Sequence, residues 1–210
     1  MTELITKDDL LNKLRAYCET PDDDNIRIKN QIYRTLLSCP ELLYALHRND
    51  LESRLFDEDG NINWDSETHE PLGEWDAYFG ESGSIRPFLF IPETQTEVRH
   101  YLCYQVDSDE NVRYNDNEKL LEVTFTIFVN EGDRTDQLTG LPRHDLIASI
   151  IRENFAWIGL EIPTLVPVYN KESVTDNHYV VRTLKYQCIL PNDLVKTNSS
   201  GTTFYKNKRW

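Results

Sequence analysis

Leu120-Leu121-Glu122-Val123-Thr124-Phe125-Thr126-Ile127-Phe128-Val129 (LLEVTFTIFV, residues 120–129) is the stretch that decides the fold. It is filled with β-branched and aromatic side chains, which suit a pleated, half-buried surface. Successive side chains of a strand point to opposite faces. Leu121, Val123, Phe125, Ile127 and Val129 therefore share one side, and Leu120, Glu122, Thr124, Thr126 and Phe128 share the other. The first set is wholly apolar and reads as core; the second is mixed. Upstream, His100 to Val106 (HYLCYQV) is a second strand candidate, joined through the turn-rich segment Asp107 to Glu118. Downstream lie Leu165 to Tyr169 and Tyr179 to Leu190 (YVVRTLKYQCIL), the latter long enough to cross a sheet. Between these pairs, Pro142 opens a helix predicted over 142–158. Leu146, Ile147, Ile150, Ile151, Phe155 and Ile158 recur at helical spacing, Arg143, Arg152 and Glu153 lie outside the stripe, and Gly159 ends it. Residues 100–190 read strand, strand, helix, strand, strand, with the helix laid on one sheet face.

The chain before this block is helical in pattern. Thr6, followed by Asp9 and then by Leu10, Leu11, Leu14 and Tyr17, reads as an N-cap and a capping-box variant opening an amphipathic helix. Pro21 and the run Asp22, Asp23, Asp24 separate it from a second helix, whose stripe is Ile28, Ile32, Tyr33, Leu36 and Leu37. Pro40 starts a short third helix burying Leu42, Leu43 and Leu46. From Asp57 to Pro92 the periodicity fades into a Gly- and Pro-punctuated stretch that still carries Trp64, Trp75, Tyr78 and Phe79, aromatics expected to pack on the protein's own core. The fold class is α+β: N-terminal helices followed by an antiparallel sheet with one flanking amphipathic helix. Four regions are expected: a helical region over 1–56, an acidic aromatic loop region over 57–92, an α+β domain over 93–191 and a flexible C-terminal arm over 192–210.

Composition bounds the function. With 210 residues, of which 39 % are hydrophobic and 28 % charged, the chain has the balance of an ordinary folded protein. Its net charge of −14 opposes phosphate backbones and anionic membranes. That charge is uneven. Asp57 to Glu81 holds nine acidic residues and no Lys or Arg, whereas Lys196, Lys206, Lys208 and Arg209 stand against Asp193 alone in the tail. Cys18, Cys39, Cys103 and Cys188 are far apart and read as reduced thiols. The N-terminus lacks the pattern of a secretory signal, and no stretch approaches the roughly 20 apolar residues of a membrane span. A soluble protein is expected.

No motif carries catalysis. The calcium-loop-like turn around Asp57-Glu58-Asp59-Gly60 would place Leu55 and Ser66 where acidic ligands are needed, so it reads as a β-turn on Asp59-Gly60. His47, His69, His100, His144 and His178 show no metal-binding spacing, and His144 reads as a surface residue at the start of the long helix. GxSxG, P-loop and GxGxxG motifs are absent from the chain. No catalytic, cofactor or metal site is expected. What remains is a binding or assembly component. Its candidate interface residues are Trp64, Trp75 and Phe79 of the acidic segment and Phe204, Tyr205, Lys208, Arg209 and Trp210 of the tail, aromatics and cations of the kind enriched at interface centres.

The order VTFTIFVNEGD, a Pro-started amphipathic helix (HDLIASIIRENFAWI), the polar stretch SVTDNHY and the closing strand VVRTLKYQC resembles the tail-terminator or tail-completion proteins of tailed bacteriophages. It covers under half of the chain, in element order and texture. The resemblance implies a homo-oligomeric ring at the neck or tail end, neighbouring neck or tail proteins as partners, no cofactor, no specific nucleic-acid binding and no membrane. It places the protein in the virion after synthesis in the host cytoplasm. An alternative from another class is an acidic adaptor or inhibitor that binds a basic protein through Asp57 to Glu81. A third, an enzyme with an unrecognised carboxylate site, has no motif to carry it.

Overall fold

The computed structural model describes residues 6–16, 24–92, 98–109, 118–156, 165–192, 195–197 and 203–205. Thr6 and Asp9 form the expected capping box on helix α1 (Lys7–Ala16): the Thr6 Oγ1 accepts from the Asp9 N–H at 3.2 Å, and the Asp9 carboxylate accepts from the Thr6 N–H at 3.0 Å. Helix α1 buries none of its residues. Helix α2 (Asp24–Leu37) does the opposite and sinks Ile28, Ile32 and Leu36, the spacing of one face. Pro40, whose missing N–H costs nothing in a first turn, opens α3 (Pro40–Ala45), and a 3₁₀ turn leads into the single turn of α4 (Glu52–Leu55). Tyr17, Pro21, Asp22 and Asp23 lie outside the described residues.

The acidic stretch holds a short hairpin of β1 (Trp64–Asp65) and β2 (Glu70–Pro71) followed by a 3₁₀ turn over Trp75–Tyr78. Asp57 makes the turn before it. Its Oδ1 accepts from the N–H groups of Asp59 and Asn61, and Gly60 takes φ +82°, a conformation that L side chains resist. This is the β-turn reading of the DEDG motif. Gly83 is required for closeness instead, since a Cβ there would sit 2.4 Å from the Tyr78 carbonyl oxygen.

The central sheet has five strands in the order β3-β4-β5-β7-β6: β3 (Ile85–Arg86), β4 (Tyr101–Asp109), β5 (Glu118–Asn130), β7 (Tyr179–Pro191) and β6 (Val166–Val174). Its four long strands are antiparallel, and the two-residue β3 adds a parallel edge. After β5 the chain crosses the sheet as α5 (Arg143–Ala156), lays β6 at the edge, and returns as β7 between β6 and β5. One face of β5 (Leu121, Val123, Phe125, Ile127 and Val129) is fully buried under α2, α3 and α5, together with Leu184 and Tyr186 of β7. A single core cluster joins the helices, Trp75 and Tyr78 of the acidic stretch, and the sheet. On the other face, Tyr101, Cys103, Phe128, Tyr179 and Val181 make a small second cluster against Phe90.

The structure changes several sequence readings. Arg143 is 2 % exposed and His144 is 7 % exposed, so neither is the surface residue its charge implied. Ile147, Ile151 and Phe155 are the buried stripe of α5, whereas Ile150 and Leu146 are half-buried beside it. The β6 strand runs on past Tyr169 to Val174, because an exposed edge strand tolerates Asn170, Lys171, Glu172 and Ser173 while β7 supplies partners along its length. Within the tail, β8 (Val195–Thr197) pairs antiparallel with β9 (Thr203–Tyr205), which the β-forming Val195, Thr197 and Thr203 favour. Ile158, Gly159 and residues 206–210 lie outside the described residues.

Candidate functional site

The sequence-derived interface residues do not converge. Trp75 is 1 % exposed, and its Nε1–H donates to the Arg54 carbonyl at 2.9 Å. It is core, which corrects its candidacy as an interface anchor. Trp64 stacks on Trp75 with centroids 5.4 Å apart, and Phe79 packs edge-on against Tyr33 at 4.5 Å. Phe204 and Tyr205 stand in β9, and Lys208, Arg209 and Trp210 lie outside the described residues. The acidic aromatic segment is thus anchored inward by its rings and presents its carboxylates outward.

Among the described residues, the sheet leaves long stretches of its edges unpaired. Strand β6 pairs, among the described residues, only with β7, and all nine of its residues are exposed, Val166, Val168, Tyr169 and Val174 among them. A bulge between Pro167 and Tyr169 breaks its first half; from Tyr169 to Val174 the register against β7 is regular. At the opposite side, β3 covers only Leu102 and Cys103 of β4. Among the described residues, the outer edge of β4 from Tyr104 to Asp109 carries no strand. Long open edges present rows of N–H and C=O groups to any chain that can pair with them. Between the edges, the polar half of the open face is held by Glu122, which accepts from Lys185 at 2.6 Å and from Gln187 at 3.0 Å. The hydrogen bond from Lys185 holds the Glu122 carboxyl below the usual range.

A cluster that no spacing announced lies under the helical layer. Asp133 follows β5 in a 3₁₀ turn, His47 follows α3, His100 precedes β4 and Arg143 begins α5. The Asp133 Oδ2 takes His47 Nδ1 at 2.5 Å and His100 Nε2 at 3.1 Å, while its Oδ1 takes Arg143 Nη2 at 3.0 Å. Arg143 also donates to the Asp133 and Ala45 carbonyls, at 3.2 and 3.1 Å. It therefore ties the end of α3, the turn after β5 and the start of α5 together. His47 sits at φ +47°, a left-handed position after α3 where glycine is the usual residue. Its bond to Asp133 offsets that strain. Burial pushes the Asp133 carboxyl up, but hydrogen bonds from His47, His100 and Arg143 together outweigh it and hold the group below its ordinary range.

Three potential ligand atoms, from His47, His100 and Asp133, lie within 4.8 Å of one another. The donor chemistry does not suit a metal. His100 Nδ1 accepts the Asn130 N–H at 3.1 Å, so the proton of the neutral ring sits on Nε2, the atom that faces Asp133. A ligating nitrogen must present a lone pair there. The cluster is a clip. Burial drives His100 down to about 4, against the hydrogen bond it donates to Asp133, which favours its proton. The unfolded chain takes up this proton near 6.5 and the folded chain only near 4, so stability falls as pH drops through that window and is intact above it. The loss is about 3 kcal/mol in total. Urea midpoints between pH 7 and pH 4.5 are expected to show this slope in the parent and to lose it in His100→Gln.

Cys39, Cys103 and Cys188 are buried free thiols, with burial raising Cys39 to about 12 and the other two to about 11. These three are free thiols, as the spacing of the cysteines implies, and Cys18 lies outside the described residues. No helix among the described residues is long and apolar enough to cross a membrane.

Comparison with known families adds one finding. The family model described as YomW matches residues 40–188. The chain belongs to the YomW family. YomW is a protein of the phage SPbeta region of Bacillus, so the kinship is phage-related. The match runs from the first residue of α3 to near the end of β7, and so takes in the Asp133 clip and the central sheet but for the last three residues of β7; α1, α2 and the β8–β9 hairpin lie outside it. No curated protein and no solved structure matches the chain.

Proposed function

We propose that this YomW-family chain is a structural protein of a tailed-phage virion that assembles with itself into a ring at the neck or tail end. The observation that carries the reading is that, among the described residues, the sheet has two open edges on opposite sides, β6 on one and the outer part of β4 on the other. Pairing β6 of one copy with β4 of the next is a head-to-tail contact, and such contacts close into rings when the rotation between copies closes. The element order shared with tail-terminator proteins and the phage-related family support the same reading. The net charge of −14 suits a ring through which duplex DNA passes without sticking. Neighbouring neck or tail proteins are its further partners under this reading, and the chain acts through surfaces rather than as an enzyme.

Val168→Lys with Val174→Lys tests it. Both positions are exposed, so the fold is expected to melt as in the parent. Lysines on an edge strand oppose pairing with another chain. Light scattering and negative-stain microscopy are expected to show closed rings for the parent and monomers for the double variant. A parent that stays monomeric at high concentration, or a variant that assembles as the parent does, overturns the reading.

A further inference from the structure

Helix α1 carries a leucine stripe that is left exposed among the described residues. Leu10 and Leu14 are 52 % and 54 % exposed, and no residue of the helix is buried, although its capping box is complete. Successive side chains turn by about 100°, so Lys7 lies within the stripe, Lys13 flanks it on one side and Arg15 on the other with Asp8 just beyond it, and Asp9 and Asn12 lie opposite. The three cations therefore stand nearest the apolar face, with the carboxylate of Asp8 farther round than Arg15 and that of Asp9 turned away.

The complementary surface is on the helical layer. A groove of about 370 Å³ lies between α3, α4 and α5, floored by Tyr44, Leu55, Phe56, Ile62, Leu146 and Ile150. Tyr44 and Ile62 are each 46 % exposed. Glu41 lines this groove, and the depression that shares Tyr44 and Phe56 with it is lined by Glu52, Asp57 and Glu58. Neither lining includes a Lys or Arg. A contiguous exposed apolar patch with a polar rim marks a site of association. Here the rim is of one sign, and the only described helix with an unspent apolar face has the opposite sign along that face.

We propose that α1 is an exchanged arm, its leucine stripe seated in the acidic-rimmed groove of a second copy of this chain. The inference rests on the reading that copies of this chain associate, and it adds a second contact to the sheet-edge one. Leu10, Leu11 and Leu14 fill the apolar floor, Lys13 and Arg15 meet the carboxylates of the rim, and the groove is covered by the neighbour. The helix is about 15 Å long, so three leucines on two turns are the whole of its contact. The arm lies outside the family match, whereas the groove lies within it.

Thiol cross-linking in the full-length chain tests this directly. In a Cys18→Ser background, Leu14→Cys and Ile62→Cys chains are mixed and treated with a short thiol-to-thiol cross-linker; the three buried thiols stay silent. The expected product is a dimer joined between position 14 of one copy and position 62 of the other, identified by peptide mass. Leu10→Asp with Leu14→Asp is expected to raise the concentration for half-assembly about a hundredfold while leaving the monomer's melting unchanged. The Glu52→Lys, Glu58→Lys pair is expected to weaken assembly, and combining it with Lys13→Glu, Arg15→Glu is expected to restore it. The proposal is overturned if the mixed chains give no 14–62 product. It is also overturned if a doubly substituted chain closes only on itself, which would make the groove the seat of its own α1. A third overturning result is loss of assembly on deleting residues 206–210 with the α1 variants unaffected, which would make the basic tail the occupant. Rings in the parent without the cross-link sink the arm and leave the ring; the cross-link in a parent that forms no rings sinks the ring and leaves the arm.

Discussion

Arg143→Leu is expected to lower stability by about 3–5 kcal/mol, the cost of breaking a buried ion pair by removing one partner. In a chain of this size that is a fall in melting temperature of roughly 10 °C. The guanidinium is almost wholly buried and spends its donors on the Asp133 carboxylate and on the carbonyls of Asp133 and Ala45. Leucine fills much of the volume but leaves the carboxylate of Asp133 facing two imidazoles without its permanent cation. The Ala45 carbonyl at the end of α3 is left without that donor as well. Arg143→Lys keeps the charge and loses the planar fork, so an intermediate loss is expected. Asp133→Asn with Arg143→Leu removes both charges, and is expected to recover part of what Arg143→Leu loses. Circular-dichroism melts of the four proteins at pH 7 check the order. If Arg143→Leu melts with the parent, the clip does not hold the helical layer to the sheet.

Ile151→Asp is expected to unfold the protein, whereas Ile150→Asp is expected to fold. These neighbours on α5 differ in what they face. Ile151 is 1 % exposed in the core formed with the sheet, so a carboxylate there has no water and no partner, a penalty of several kcal/mol. Ile150 lines the open groove beside Tyr44 and Leu146, where a carboxylate keeps much of its hydration. On helical spacing alone both residues belong to one apolar stripe and Ile150 is its middle, so the sequence reading expects Ile150→Asp to be lethal. Soluble yield and thermal melts separate the two. With the groove as the seat of α1, Ile150→Asp is expected to show its damage in assembly instead.

The local chemistry of the chain is written in its sequence. Alternation across Leu121 to Val129 gives β5 and its buried face; the spacing of Ile28, Ile32 and Leu36 gives α2; Thr6 with Asp9 caps α1; Pro40 and Pro142 mark where α3 and α5 begin. These signals are local because backbone dihedrals and side-chain direction depend on near neighbours, and they suffice for the α+β class and the layer of helix on sheet. The inward packing of Trp75 and Tyr78 is legible too, since large rings in an acidic stretch need apolar cover.

What only the tertiary structure decided is which distant groups meet. His47, His100, Asp133 and Arg143 have no common spacing, and their meeting depends on how α3, β4, β5 and α5 are brought together. Arg143 and His144 read as surface residues because charge is the best local predictor of exposure, and the rule fails where a folded partner supplies compensating charge. The strand order has the same character. Sequence gives β6 and β7 as two strands, but hydrogen bonds between strands are made by backbones that are alike at every residue. Only the packing of α5 across β5 and β7 leaves β6 outermost, and with it the open edge on which the assembly reading stands.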